Sequence, residues 1–339
     1  MKQTPTVWVL MDDSPGNVSQ ALGVAEALGW PFETKKVSYT AAARLPNLLR
    51  GASRIGLTVQ SESILRPPWP SIVVAAGRRI APVARWIKKE AQEPVFLAQI
   101  MYPGHAGASE FDLIAVPNHD CDLGHKNAKD EQNIVFMTGA PHQLNERRLR
   151  DEVSKWAGLI NKLPRPYITV LIGGATRSRP FPIDKVKDVV TRVSSMAATV
   201  DGSVLLSTSR RTGSIAEELI LSSLREPRSV HLWGKGGENP YYAYLALADY
   251  VVVTGDSVSM CSEACATQGP VYIYAPEGMT SPKHARLHQE LYDLKYAKPL
   301  GDSLDEWKHT PLNAAVCIAA AVRHRIAYPV TQQNVSLRC

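Results

Sequence analysis

A chain in which short apolar, β-branched runs alternate with amphipathic stretches is expected to build a parallel sheet covered by crossover helices, and this sequence alternates in that way twice. In its first half, strand-like runs fall at Val7 to Met11, Ile72 to Ala76, Val95 to Ile100 and Leu113 to Val116. Helical patterns lie between them at Val18 to Leu28 and Ala81 to Glu90. The second half repeats the scheme with runs at Tyr167 to Ile172, Ser203 to Ser207, Ser229 to Trp233, Tyr250 to Val253 and Val271 to Tyr274. Helices are expected there near Ile183 to Met196, Ile215 to Leu224 and Tyr242 to Leu247. Between the halves, NKLPRP (Asn161 to Pro166) places two prolines after a helical stretch, Glu146 to Ile160, and marks a linker. The expected fold is α/β: two Rossmann-like, doubly wound domains facing across a cleft. Residues 1–162 form the first and 166–305 the second, with a last helix (312–327) packing back on the first.

The 339 residues, 45% hydrophobic and 21% charged, are ample for two such domains and argue against disorder. The net charge of +6 is spread without a block of like charges. That balance suits an anionic small molecule or an anionic membrane surface better than a nucleic-acid groove. Five cysteines without a CxxC pair give no disulfide framework and point to a reducing compartment. Cys261 and Cys265 have a spacing that serves packing or a metal equally. The first strand begins almost at the initiator Met, so neither a signal nor a transit peptide is expected, and no apolar run reaches the ~20 residues that span a bilayer. A cytoplasmic protein, in part peripheral to the inner face of a membrane, is the expectation.

Ligands of open α/β sheets bind beyond the carboxyl ends of the strands, so the loops there are read together. The segment TGDSVSMCSEACATQGPVYIY (Thr254 to Tyr274) reads as strand, polar loop, short helix starting near Ser259, glycine turn and strand. Its loop, with Asp256, Ser257, Ser259 and Met260, suits a diphosphate at a helix start. Glu263, one turn in, either accepts ribose hydroxyls or complements the helix dipole. Gly173 and Gly174 permit close approach after the strand ending at Ile172. Ser209, Arg210 and Arg211 offer a hydroxyl and guanidiniums to phosphate, or form an exposed basic turn. Asn239 lies in a glycine-rich loop, and Trp233 or Tyr241 would stack on a base unless simply packed.

On the first half the loop from Asp12 to Asn17, with Pro15, Gly16 and Asn17, leads into a helix containing Gln20, and Gly77 and Arg78 follow the strand ending at Ala76; these residues are expected to face an acceptor. His119 and Asp120 are the candidate catalytic pair. With Asp122 and His125 they also invite a metal reading, but the spacing fits no metal motif and no metal is expected. Ala41 to Arg50, AAARLPNLLR, is either a lipid-surface segment or an ordinary amphipathic connector.

The segment from Thr254 to Tyr274, together with SPGNVSQALGVAEALG, AAGR, VPNHD, FMTGAPH and WGKGGENPY, resembles the family of the plant mitochondrial fission factor "elongated mitochondria" and its bacterial relatives, over nearly the whole chain. The start without an extension looks bacterial. The second-half pattern is also similar to the donor site of GT-B glycosyltransferases. That resemblance implies a diphosphate held by Ser257 and Ser259, a ribose held by Glu263, a nucleotide-diphosphate sugar as substrate and no further cofactor. The first-half loop has fewer glycines than in those transferases. An epimerase role is disfavoured by the lack of both GxGxxG and a YxxxK pair. Two function classes follow: a metal-independent glycosyltransferase with an unknown acceptor, or a non-catalytic adaptor that recruits a membrane-remodelling partner.

Overall fold

The computed structural model describes residues 4–121, 132–176 and 179–328. It divides into two compact units: one contains the chain up to Gln143 and the segment from Asn313, the other Leu144–Leu312.

The first unit runs β1 (Val7–Met11), α1 (Pro15–Leu28), β2 (Phe32–Lys36), α2 (Asn47–Arg50), α3 (Val59–Ser63), β3 (Ile72–Ala76), α4 (Ala81–Glu90), β4 (Phe96–Ile100), β5 (Leu113–Pro117) and β6 (Ile134–Met137). The second runs α5 (Glu146–Ile160), β7 (Tyr167–Ile172), α6 (Ile183–Thr199), β8 (Ser203–Thr208), α7 (Ser214–Ser223), β9 (Arg228–His231), α8 (Tyr241–Leu247), β10 (Tyr250–Thr254), α9 (Val258–Ala264), β11 (Val271–Tyr274), α10 (Pro282–Asp293) and β12 (Lys298–Pro299). The closing helix α11 (Ala314–Ala327) belongs to the first unit.

Each unit holds one six-stranded sheet in which every pairing is parallel. The strand orders differ. The first sheet is β2-β1-β3-β4-β5-β6 and the second β12-β11-β10-β7-β8-β9. The chain reverses direction across the sheet between β1 and β3 in the first unit, and between β7 and β10 in the second. At such switch points the loops leaving two neighbouring strands diverge and open a crevice. Those four loops are Asp12–Ser14, Gly77–Ile80, the stretch from Gly173, and Gly255–Ser257.

Central strands β3, β5, β7 and β8 are buried at every residue, as a parallel sheet covered on both faces requires. The carboxyl boundary of the first domain differs from the expected linker. Helix α5 sits with the second unit because Ile160, Trp156 and Leu163 pack with Tyr167, Leu205 and Tyr244, and the Tyr167 hydroxyl donates to the Ile160 and Leu163 carbonyls at 3.1 Å each. Helix α11 lies on α1, where Ala314, Ala315, Ala319 and Ala321 share a core with Ala21, Val24 and Ala25. Small side chains on both helices let them approach closely, and Arg323 fixes the register by donating to the carbonyls of Ala27 (2.9 Å) and Leu28 (3.2 Å).

The loop expected over Asp12 to Asn17 is shorter than the sequence suggests. Pro15 starts α1, where its fixed φ and missing N–H are no handicap, so Pro15, Gly16, Asn17 and Gln20 are all helical. Among the described residues Cys121, Cys261 and Cys265 are free thiols, the last two buried. Among the described residues no helix is long and apolar enough to cross a membrane.

Gly23 on α1 has a steric reason to be glycine. A Cβ there would stand 2.3 Å from the His142 carbonyl oxygen, so the backbone of the stretch after β6 lies directly on the helix. Gly23→Ala gains helix propensity but forces that contact apart, and is expected to lower the unfolding free energy measured in urea by about 1–3 kcal/mol, and the midpoint with it. An unchanged or higher midpoint would show that the contact yields at no cost.

Candidate functional site

At the second unit's switch point, one buried carboxylate ties three loops together. Asp256 Oδ1 accepts from the Thr254 hydroxyl (2.7 Å), and Oδ2 accepts from the Gly174 N–H (2.9 Å) and pairs with Arg211 Nη2 (2.7 Å). The Gly173 N–H donates to Thr254 Oγ1 at 2.7 Å. A Cβ on Gly173 would sit 2.2 Å from Asp256 Oδ2, and one on Gly174 would sit 2.1 Å from the Arg211 carbonyl oxygen. The glycine pair therefore admits the chain's own carboxylate and backbone, where the sequence suggested a ligand or a partner domain.

The loop after β8 closes onto the same point. The Ser209 hydroxyl donates to the Gly173 carbonyl (2.8 Å), Thr212 donates to it as well (2.5 Å), and Arg211 Nη1 donates to the carbonyls of Gly174 (2.7 Å) and Ala175 (3.1 Å). Arg211 is thus a brace between loops, not the free phosphate ligand expected of it, because a buried carboxylate lies within reach. Arg210 beside it is exposed and has no hydrogen-bond or ion-pair partner among the described residues.

Ser257 caps α9: its hydroxyl accepts the Met260 N–H at 3.4 Å, so the helix begins at Val258, one residue before the start expected near Ser259. The N–H groups of Val258 and Ser259, in the first turn, have no intrahelical acceptor. Residues Ser257 to Met260 are half-buried.

Glu263 follows on α9 with only 8% of its surface exposed. Its Oε2 accepts from the Tyr241 hydroxyl at 2.6 Å, and its Oε1 has no hydrogen bond from the described residues. Burial pushes the carboxyl up to about 7, partly opposed by the Tyr241 hydrogen bond and by the positive charge of Arg148 on α5. Burial, and then the Glu263 charge, raise the Tyr241 phenol well above its ordinary value, so it stays a donor. The structure therefore joins two residues, Tyr241 and Glu263, that the sequence assigned separately to base and ribose. Asn239 Oδ1 accepts the Tyr241 N–H at 3.0 Å and sets the start of α8. Trp233 is 49% exposed, and its N–H donates to Thr208 Oγ1 at 2.9 Å.

Two contributors were missed by sequence reasoning. Arg148 lies on a helix assigned to the other domain, and its guanidinium stacks 5.0 Å from the Tyr242 ring. His288 on α10 is 2.9 Å from the Gly255 carbonyl through Nε2, and a Cβ on Gly255 would meet its ring at 2.4 Å. Burial lowers this imidazole to about 4, so it is neutral at pH 7. Ser281 and Pro282, a cap and a first-turn proline, were the available signal for α10.

The first unit's switch point is built in a similar way. Asp12, 5% exposed, accepts from the Ser14 N–H (2.8 Å) and from Asn17 Nδ2 (2.9 Å). Gly77, at φ +93°, leaves room for the Asn17 amide, which a Cβ would meet at 2.5 Å. Arg79 pairs with Asp13 and lies 4.8 Å from the Tyr39 ring. Arg78 is exposed, and Gln20 is buried. His119 and Asp120 are not brought to this point. They form a short 3-10 turn, Asn118–Asp120, beyond β5, two strands from β3, and His119 is 2% exposed. Asp122 and His125 lie outside the described residues. Among the described residues no three His, Cys, Asp or Glu side chains cluster to hold a metal ion.

Two parallel six-stranded sheets with these strand orders define a GT-B-like α/β protein, the fold shared by glycosyltransferases and UDP-sugar epimerases. The chain belongs to the mitochondrial fission ELM1 family, whose model matches residues 15–326. An uncharacterized protein of Rickettsia prowazekii is 28% identical over 94% of this chain and 97% of its own length. The mitochondrial fission protein ELM1 of Arabidopsis thaliana is 30% identical over 76% of this chain, and the match spans 64% of that longer protein. Among solved structures, the UDP-GlcNAc 2-epimerase of Methanocaldococcus jannaschii superposes with a TM-score of 0.56 at 12% identity, covering 95% of this chain and 99% of that one. A second structure of that enzyme, with a TM-score of 0.52, is a complex with UDP-GlcNAc and UDP.

The pH dependence of stability follows from the buried pair of titrating groups. Glu263 titrates higher in the folded chain (about 7) than its ordinary value of 4.5, so its carboxylate costs stability progressively as pH rises through that window, about 3 kcal/mol in all. His288 works in the opposite sense: its folded value lies below its ordinary 6.5, so stability is lost as pH falls from 6.5 towards 4. Glu263→Gln is expected to gain stability relative to the parent chain from pH 5 to pH 8, measured by urea melts. A pH-independent difference would mean Glu263 titrates normally.

Proposed function

We propose that the second unit binds a nucleotide-diphosphate sugar at the β7/β10 switch point, and that the protein transfers the sugar to an acceptor handled by the first unit. The observation that carries this reading is Glu263: a buried carboxylate with one oxygen engaged by Tyr241 and the other unengaged, beside a strand edge where sugar nucleotides bind in this fold class. Burying a carboxylate is unfavourable unless something uses it. Two adjacent ribose hydroxyls supply donors to the unengaged oxygen and favour its charged form.

The diphosphate would take the Val258 and Ser259 N–H groups and the exposed Arg210 guanidinium. Asp256 and Arg211 have a positioning role, holding the Gly173–Gly174 and Ser209–Thr212 loops around that space. In the transfer, the bond between the anomeric carbon and the diphosphate oxygen breaks with its electron pair leaving on phosphate. An acceptor oxygen bonds to the same carbon, and its proton passes, directly or through water, to the departing diphosphate. The positive groups at the α9 start and Arg210 stabilise the departing diphosphate. The fold relationship to a UDP-GlcNAc 2-epimerase makes UDP-GlcNAc the first probe to use.

Titration calorimetry against UDP-GlcNAc, UDP, uridine and the corresponding adenine and guanine nucleotides tests the reading. One nucleoside diphosphate series should bind saturably. Glu263→Ala should weaken the whole series about tenfold or more, and Arg210→Ala should weaken the diphosphates but not the nucleoside. No binding to any nucleotide would instead favour the adaptor role suggested by membership in a family named for mitochondrial fission.

A further inference from the structure

Helix α2 is inside out. Its polar residues point inward, with Asn47 9% and Arg50 2% exposed, while Leu48 is 77% and Leu49 68% exposed. A short surface helix ordinarily buries its leucines and leaves an arginine in water. The inversion is held in place by specific bonds. Asn47 Nδ2 donates to the carbonyls of Arg78 (2.9 Å) and Pro103 (3.0 Å). Arg50 donates through Nε to the Ile55 carbonyl (3.1 Å) and through Nη1 to the Arg79 carbonyl (3.0 Å). Arg50 is therefore a buried clamp.

The clamp fixes an apolar face. Leu45, 45% exposed, immediately precedes the helix, and Ile55, 48% exposed, is tied to it through its own carbonyl. Exposing four large aliphatic side chains while burying a guanidinium is unfavourable in water on both counts, so the face is built for another environment. The charges around it indicate which one. Of the four arginines in residues 41–66, Arg50 is buried and Arg54 pairs with Glu62, the one acidic residue, at 3.3 Å, which leaves Arg44 and Arg66 exposed. Arg44, just before Leu45, and Arg78, whose carbonyl holds Asn47, are exposed and have no acidic partner among the described residues. Apolar side chains on a rigid turn flanked by arginines match a bilayer with anionic headgroups: the leucines enter the acyl boundary and the arginines meet phosphate.

We propose that this face docks the protein peripherally on an anionic lipid bilayer. It adjoins the Gly77–Arg79 loop at the first unit's switch point, so a docked protein holds that loop near the lipid surface. The proposal does not depend on the nucleotide reading.

Flotation of the whole protein with phosphatidylcholine vesicles, with and without phosphatidylglycerol, tests it. The protein should float with the anionic vesicles and not with the neutral ones. The double variant Leu48→Ser, Leu49→Ser should lose about tenfold or more of that binding while keeping its urea midpoint. Arg44→Glu should lower binding in a salt-dependent way. Absence of flotation with anionic vesicles overturns the proposal, as does flotation unchanged by the leucine substitutions. Self-association in sedimentation velocity that the double variant abolishes would assign the face to a second copy of the chain and also overturn it.

Discussion

The second unit's switch point depends on the Asp256 carboxylate. It is almost wholly buried, accepts from Thr254 and Gly174, and faces Arg211, so that the ends of β7, β8 and β10 are held by one side chain. A buried carboxylate is tolerable only when its lone pairs are met, and here each oxygen has a donor. Removing it would leave Arg211 and two backbone loops without their common partner. The glycines at 173 and 174 are a consequence, since any side chain there would occupy the volume of Asp256 or of the Arg211 backbone.

Against that rigid base, Glu263 stands out as a carboxylate that is buried but only half used. Asp256 is fully engaged and structural; Glu263 is held by a single phenol and raised to about 7. The contrast separates a residue that holds the loops together from one whose second oxygen is left to the ligand proposed above. The first unit has its own builder in Asp12, which orients Asn17 beside Gly77.

Much of this was legible in the sequence. Strands such as Ile72–Ala76 and Tyr167–Ile172 are buried along their whole length, so their apolar runs identify them without ambiguity. Edge strands give no such signal: β2 reads FETKK and is mostly exposed, and β12 is only two residues long. Loops that follow strands are where chemistry collects, which is why Ser209 to Arg211 and Asp256 to Glu263 could be singled out. Which of those side chains bind each other could not be read, because the Arg211–Asp256 and Tyr241–Glu263 pairs join residues far apart in the chain. The exposed leucines of α2 were visible as a pattern, but their orientation depends on carbonyls at 55, 78, 79 and 103 that periodicity does not reveal.

The central claim is that Glu263 is the carboxylate on which a sugar nucleotide's ribose closes. It is tested most directly by counting protons on binding. Calorimetric titration with UDP-GlcNAc at pH 6.5, in buffers of different ionisation enthalpy, should show about three-quarters of a proton released in the parent chain, whose carboxyl titrates at about 7, and none in Glu263→Gln, because ribose hydroxyls favour the charged carboxylate. Binding with equal proton release in both proteins would contradict the account.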